Sequence, residues 1–146
     1  MEQIEYPELA TWEERRRWFE GFERNRGKGG AAHVLSEQGC ALMIDLQAVF
    51  CAGAWASTVI LAATIVDSQL RYAAPDEVLA EELEWLRRTR NALVHENPNA
   101  PELTVEDQWM NRREWERAAR RAVAAALSAL YPERPASQRE RDARQA

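Results

Sequence analysis

The residues best placed to do chemistry together are Arg90-Asn91-Ala92-Leu93-Val94-His95. An imidazole with an ordinary pKa near 6.5 can take and give protons at neutral pH. A guanidinium fork can grip two oxygens of one phosphate. Arg90 and His95 therefore read as candidate catalytic residues, with Asn91 orienting either the imidazole or the phosphate. Arg87 and Arg88 lie just upstream and read as substrate-binding cations. In a straight helix, positions 90 and 95 are about 140° apart and about 7.5 Å apart along the axis. One unbroken helix cannot aim both at one phosphate. Either the chain unwinds near His95, as Asn97-Pro98 invites, or two copies of the motif meet across a two-fold axis.

The elements around this run say where it must sit. Leu79, Leu83, Leu86, Arg90 and Leu93 recur at spacings of four and three, the inward seam of a helix packed on another helix. A guanidinium in that seam is costly unless it is paired or reaches water. Asp67 is one candidate partner and would support the site from behind; its neighbour Arg71, four residues on, competes for it, and the local pair is the favoured expectation. Asp45, in another apolar helix, is a second supporting carboxylate that could meet an arginine from a buried position.

The pattern is helical nearly throughout, with no alternating strand and no hairpin dipeptide. Thr11 and Glu14 read as a capping box opening a charged helix to about position 26, with an apolar stripe of Trp12, Phe19 and Phe22. Gly27, Gly29 and Gly30 then read as a linker. They lack the preceding strand and the GKS or GKT ending of a phosphate loop. Arg26 and His33 repeat the Arg-to-His spacing, but they straddle this glycine run and have no helical context; Arg88 to His95 also fits a longer spacing. An apolar helix to Phe50, a break at Ala52-Gly53 and a second apolar helix over 54–72 follow. Pro75 and Asp76 open the next helix, which must end over 94–97 because of Pro98. Thr104 and Asp107 resemble another cap, opening one last helix over 105–130. The domain division is thus a charged helix and linker (1–30), a helical domain (31–130) and a polar tail (131–146) that reads as disordered. The fold class is all-α, a bundle of about four to five helices.

Residues 46–66 carry no charge and are long enough to test as a membrane span. They are Ala-rich, flanked by Asp45 and Asp67, and interrupted by Gly53, so they read as a buried helix pair rather than a span. A net charge of −5 argues against a protein that coats nucleic acid broadly. One Lys accompanies eighteen Arg, so positive patches will consist of guanidinium forks. Cys40 and Cys51, the only cysteines, read as reduced core residues of a cytoplasmic protein. With two His besides, no metal site and no cofactor are expected. The six Trp read as core and interface residues, with base stacking the alternative for Trp85 and Trp109; the arginines over 112–121 read as a solvated face, with tracking of an RNA backbone the alternative.

Arg90–His95 resembles the R-x4-6-H motif of the HEPN superfamily, including the polar Asn91 after the arginine. The order of elements over 31–130 is similar too: two apolar central helices, the motif at the end of the next, then an amphipathic helix. The resemblance implies an all-α HEPN fold and a two-fold homodimer whose composite cleft holds two Arg90 and two His95. It implies a metal-independent endoribonuclease whose 2′-OH attack leaves 2′,3′-cyclic phosphate and 5′-OH ends. It further implies a toxin-like or antiviral defence role, restrained by an antitoxin, with a structured RNA such as tRNA as substrate. The alternative is a non-catalytic HEPN-like dimerisation module serving as a subunit of a larger complex.

Overall fold

The computed structural model describes residues 6–27, 35–70 and 76–131. Gly29, Gly30, His33, Arg71, Pro75 and the tail after Tyr131 lie outside the described residues. Every described element is helical: α1 (Leu9–Gly27), α2 (Glu37–Ala52), α3 (Trp55–Gln69), α4 (Glu77–Val94), the single turn α5 (Asp107–Met110) and α6 (Arg112–Leu130).

The caps follow from short polar side chains beside orphan backbone N–H groups. Ser36 Oγ accepts from Gly39 N at 3.0 Å, and Asp76 Oδ1 accepts from Leu79 N at 2.8 Å. Two expectations fail. Thr11 lies inside α1, which starts two residues earlier, so it is no cap. The last helix is two helices. Thr104 and Asp107 do form a reciprocal cap, with Asp107 N donating to Thr104 Oγ1 at 3.2 Å and Thr104 N to Asp107 Oδ2 at 2.7 Å. It caps only α5, because Asn111 leaves helical geometry (φ −109°, ψ 21°) while its Nδ2 donates to Asp107 Oδ1 at 2.6 Å.

Side-chain links fix the topology. Arg15 meets Cys51 and Gln47 meets Glu20, so α1 and α2 are antiparallel. Gln69 Oε1 accepts from Ser36 N at 3.0 Å, latching the end of α3 to the start of α2. Arg121 meets Glu82, which sets α6 against α4, while Arg120 meets Glu14 and Tyr131 meets Glu23, so α6 runs parallel to α1. Helix α3 is central, packing on α2, α4 and α6. Its Val59, Ala62 and Ile65 are wholly buried, as are Ala119, Ala122, Val123 and Ala126 of α6. The alanines let these two backbones approach, and the large side chains around them fill the space. Leu46, Phe50, Leu86 and Leu127 complete the core with Phe19 of α1. Residues 46–66 are the buried pair α2–α3, split at Gly53, and no described helix is long and apolar enough to cross a membrane.

Candidate functional site

Helix α4 carries the motif, and its strongly one-sided apolar pattern turns Leu86 fully into the core. Arg90 stands one turn further along the same row, so its stem is covered and its side chain keeps 26% exposure. Its Nη2 donates to Asp67 Oδ2 of α3 at 2.9 Å. Arg87 reaches the other oxygen of Asp67 at 3.6 Å and also pairs with Glu84 at 3.2 Å. Arg71 lies outside the described residues; among those described, Asp67 joins α3 to α4 through Arg90 and Arg87. Burial decides this, because an arginine in the seam must bring its counter-charge from the facing helix. Arg90 Nε is buried and makes no hydrogen bond.

His95 closes α4. Its backbone N–H still donates to the Asn91 carbonyl at 2.9 Å, but its own torsions are non-helical (φ −113°, ψ 81°). The helix is thus unbroken to Val94, and unwinding does not fold His95 back onto Arg90. Asn91 and His95 are both exposed. Arg88 is exposed too, 4.0 Å from Glu84. The structure brings together Arg90, Arg87 and Asp67; Arg88, Asn91 and His95 stand apart from them in water.

Asp45 is not a buried partner. It is exposed, off the buried row of Met43, Leu46 and Phe50, and makes no ion pair with a described residue. Cys40 is exposed as well, whereas Cys51 is buried, and burial pushes the Cys51 thiol up. The base-stacking face proposed for Trp85 is covered by Arg121, whose Cζ lies 3.9 Å from the ring centroid. The arginines of α6 are mostly spoken for: Arg117 pairs with Glu114, Arg120 with Glu14 and Glu116, and Arg121 with Glu82. They form a cross-linked surface more than a phosphate track. A pocket of about 270 Å³ beside the end of α4 is lined by Ala56, Ile60, Leu93 and Leu103 and rimmed by Glu96 and Glu102. Its carboxylates would repel a phosphate. Among the described residues no group of three or more His, Cys, Asp or Glu is placed to hold a metal ion.

A second arginine cluster went unread in the sequence. Arg15 of α1 is only 8% exposed. Its Nη1 donates to the Cys51 carbonyl at 3.0 Å, and Arg112 Nη2 donates to the Gly53 carbonyl at 2.9 Å. Both guanidiniums lie over the Trp55 ring, at 4.6 and 5.6 Å from its centroid. The two carbonyls belong to the negative end of α2, which attracts cations. Only the break at Gly53 hinted at this meeting point.

No family model, no curated protein and no solved structure matches the chain.

Proposed function

We propose that the chain is a metal-independent endoribonuclease of the HEPN type, acting as a two-fold homodimer. One observation carries this reading: Arg90, in a row otherwise made of leucines, is held against Asp67 five residues before a water-exposed His95 at the helix end. Asp67 fixes one edge of the guanidinium. Its remaining N–H groups and those of Arg87 would stabilise the extra charge on a pentacoordinate phosphate. Because α4 is continuous, the site needs two copies of α4, each contributing Arg90, Asn91 and His95.

RNA supplies its own nucleophile. One His95 takes the 2′-OH proton as the 2′-oxygen bonds to phosphorus. As the bond from phosphorus to the 5′-oxygen breaks, the second His95 protonates the leaving oxygen. A 2′,3′-cyclic phosphate and a 5′-OH result, and DNA, lacking the 2′-OH, cannot react this way. The net charge of −5 favours a limited, structured substrate such as tRNA in the cytoplasm, with activity restrained by an antitoxin.

The test is RNA cleavage in EDTA by wild type, His95→Ala and Arg90→Ala, with an equivalent DNA alongside and the RNA ends analysed. Loss of cleavage in both folded variants, with DNA untouched, is the expected result. Cleavage that survives without His95 overturns the reading. A second reading has its own observation: Asp67 already neutralises Arg90, and Ile44, Val78, Val94 and Val105 stand exposed. A wild type that cuts nothing favours the non-catalytic module within a larger assembly.

A further inference from the structure

We propose that Arg15 and Arg112 form a binding site for a phosphate group at the end of the bundle where α2 turns into α3. A surface pocket of about 300 Å³ lies there, lined by Tyr6, Thr11, Arg15, Ala52, Trp109 and Arg112. Arg15 is more than nine-tenths buried, and among the described residues no carboxylate makes an ion pair with it or with Arg112. The acidic groups nearby, Glu14 and Glu116, are engaged by Arg120 at 3.1 and 2.8 Å. Three guanidiniums thus face two carboxylates, and the excess charge sits on the two arginines that line the pocket.

Their donors are also underused. A guanidinium carries five N–H groups. Capping α2 occupies Arg15 Nη1 and Arg112 Nη2, while Arg15 Nε, Arg112 Nη1 and the neighbouring Trp55 Nε1 are buried with no acceptor. Arg15 and Arg112 both line the pocket, and their unpaired donors are complementary to an oxoanion. The approach is tight: a Cβ on Gly53 would lie 2.8 Å from Arg112 Nη2 and 2.9 Å from Arg15 Nη1, so both forks converge on one point. Burial pulls the Arg15 guanidinium below its ordinary value, and Arg112 and Arg120 pull the same way. A bound anion would relieve both effects. Tyr6 and Trp109 at the rim give a nucleoside attached to that phosphate an aromatic surface.

The inference stands apart from the ribonuclease reading, since it uses none of Arg87, Arg90 or His95. Titration calorimetry and thermal melts of the full chain test it with three probes: inorganic phosphate, adenosine 5′-monophosphate and a short oligoribonucleotide without terminal phosphates. Binding of the first two points to a free phosphate or phosphomonoester; binding of the third alone points to an RNA backbone. Arg112→Gln should weaken binding about tenfold or more, and Arg112→Lys should restore part of it, because an ammonium keeps the charge and loses the fork. Arg112 is half-exposed, so these variants avoid the folding risk of altering Arg15. Arg24→Gln, an exposed cation of α1 outside both sites, should bind as wild type does. Three results overturn the proposal: no binding of any probe at millimolar concentration, unchanged affinity in Arg112→Gln, or an equal loss of binding in Arg24→Gln.

Discussion

Replacing Gly53 with Ala tests the geometry that joins α2, α3 and both arginines. Gly53 has φ +78°, the left-handed region. An L-residue there costs roughly 1–2 kcal/mol. The new Cβ would also stand 2.8 Å from Arg112 Nη2 and 2.9 Å from Arg15 Nη1, closer than a real Cβ tolerates. Both atoms end flexible side chains, so the guanidiniums would move rather than the backbone. Moving them weakens the bonds to the Gly53 and Cys51 carbonyls, each worth about 0.5–1.5 kcal/mol. The total is about 2–5 kcal/mol, or a fall of roughly 5–20 °C in Tm for a chain of this size. Circular dichroism melts in heat and urea on wild type, Gly53→Ala, Arg112→Ala and the double variant measure it. In the Arg112→Ala background Gly53→Ala should cost about 1 kcal/mol less, because one clash is already gone. A cost of under about 0.5 kcal/mol for Gly53→Ala refutes the left-handed cap; strict additivity refutes the close approach to Arg112.

Three further outcomes follow from other parts of the fold. A double-mutant cycle on Arg90→Ala and Asp67→Ala should give a coupling of about 1 kcal/mol or less in urea melts, since the side chains keep 26% and 36% exposure; a coupling several-fold larger contradicts the half-solvated pair. The Tyr131 phenol, half-buried and donating to Glu23 Oε1 at 2.8 Å, is pushed up to about 12. Its folded-state value lies above the unfolded one near 10, so its stabilisation is full below pH 10 and is lost as pH rises through 12. Ultraviolet titration should show a late phenol step that is absent in Tyr131→Phe; if that step is unchanged in the variant, the assignment is wrong. A thiol reagent should label Cys40 in the native chain and Cys51 only after unfolding, because only Cys40 is exposed; native labelling of two thiols contradicts the packing of Cys51.

Much of the helical frame was legible from local rules. The break at Gly53, the cap at Asp76 and the end of α4 before Pro98 each depend on a few adjacent residues whose backbone preferences are intrinsic. The α5–α6 break was not, because Asn111 interrupts it through a side-chain bond to Asp107 that outweighs ordinary helix propensity. Neighbour choice also lay beyond the sequence. Position 90 in the seam showed that a guanidinium needed a partner, but Asp67 and Asp45 were both open as that partner until α3 packed on α4 and brought Asp67 to it. Asp45 and Cys40 sit in apolar helices and still face water, because the neighbours α2 acquires cover only one of its sides.

By itself, then, the sequence determined the helices, most of their ends and the residue types at the Arg90–His95 run. The tertiary structure decided that α4 stays continuous, so that one copy keeps Arg90 and His95 on different faces. It also decided that Arg15 and Arg112, ninety-seven positions apart, close on two carbonyls at the end of α2, those of Cys51 and Gly53. Helix formation depends on residues a turn away. Pairing of charges depends on which faces the buried alanines and aromatics force together, and no local spacing encodes that.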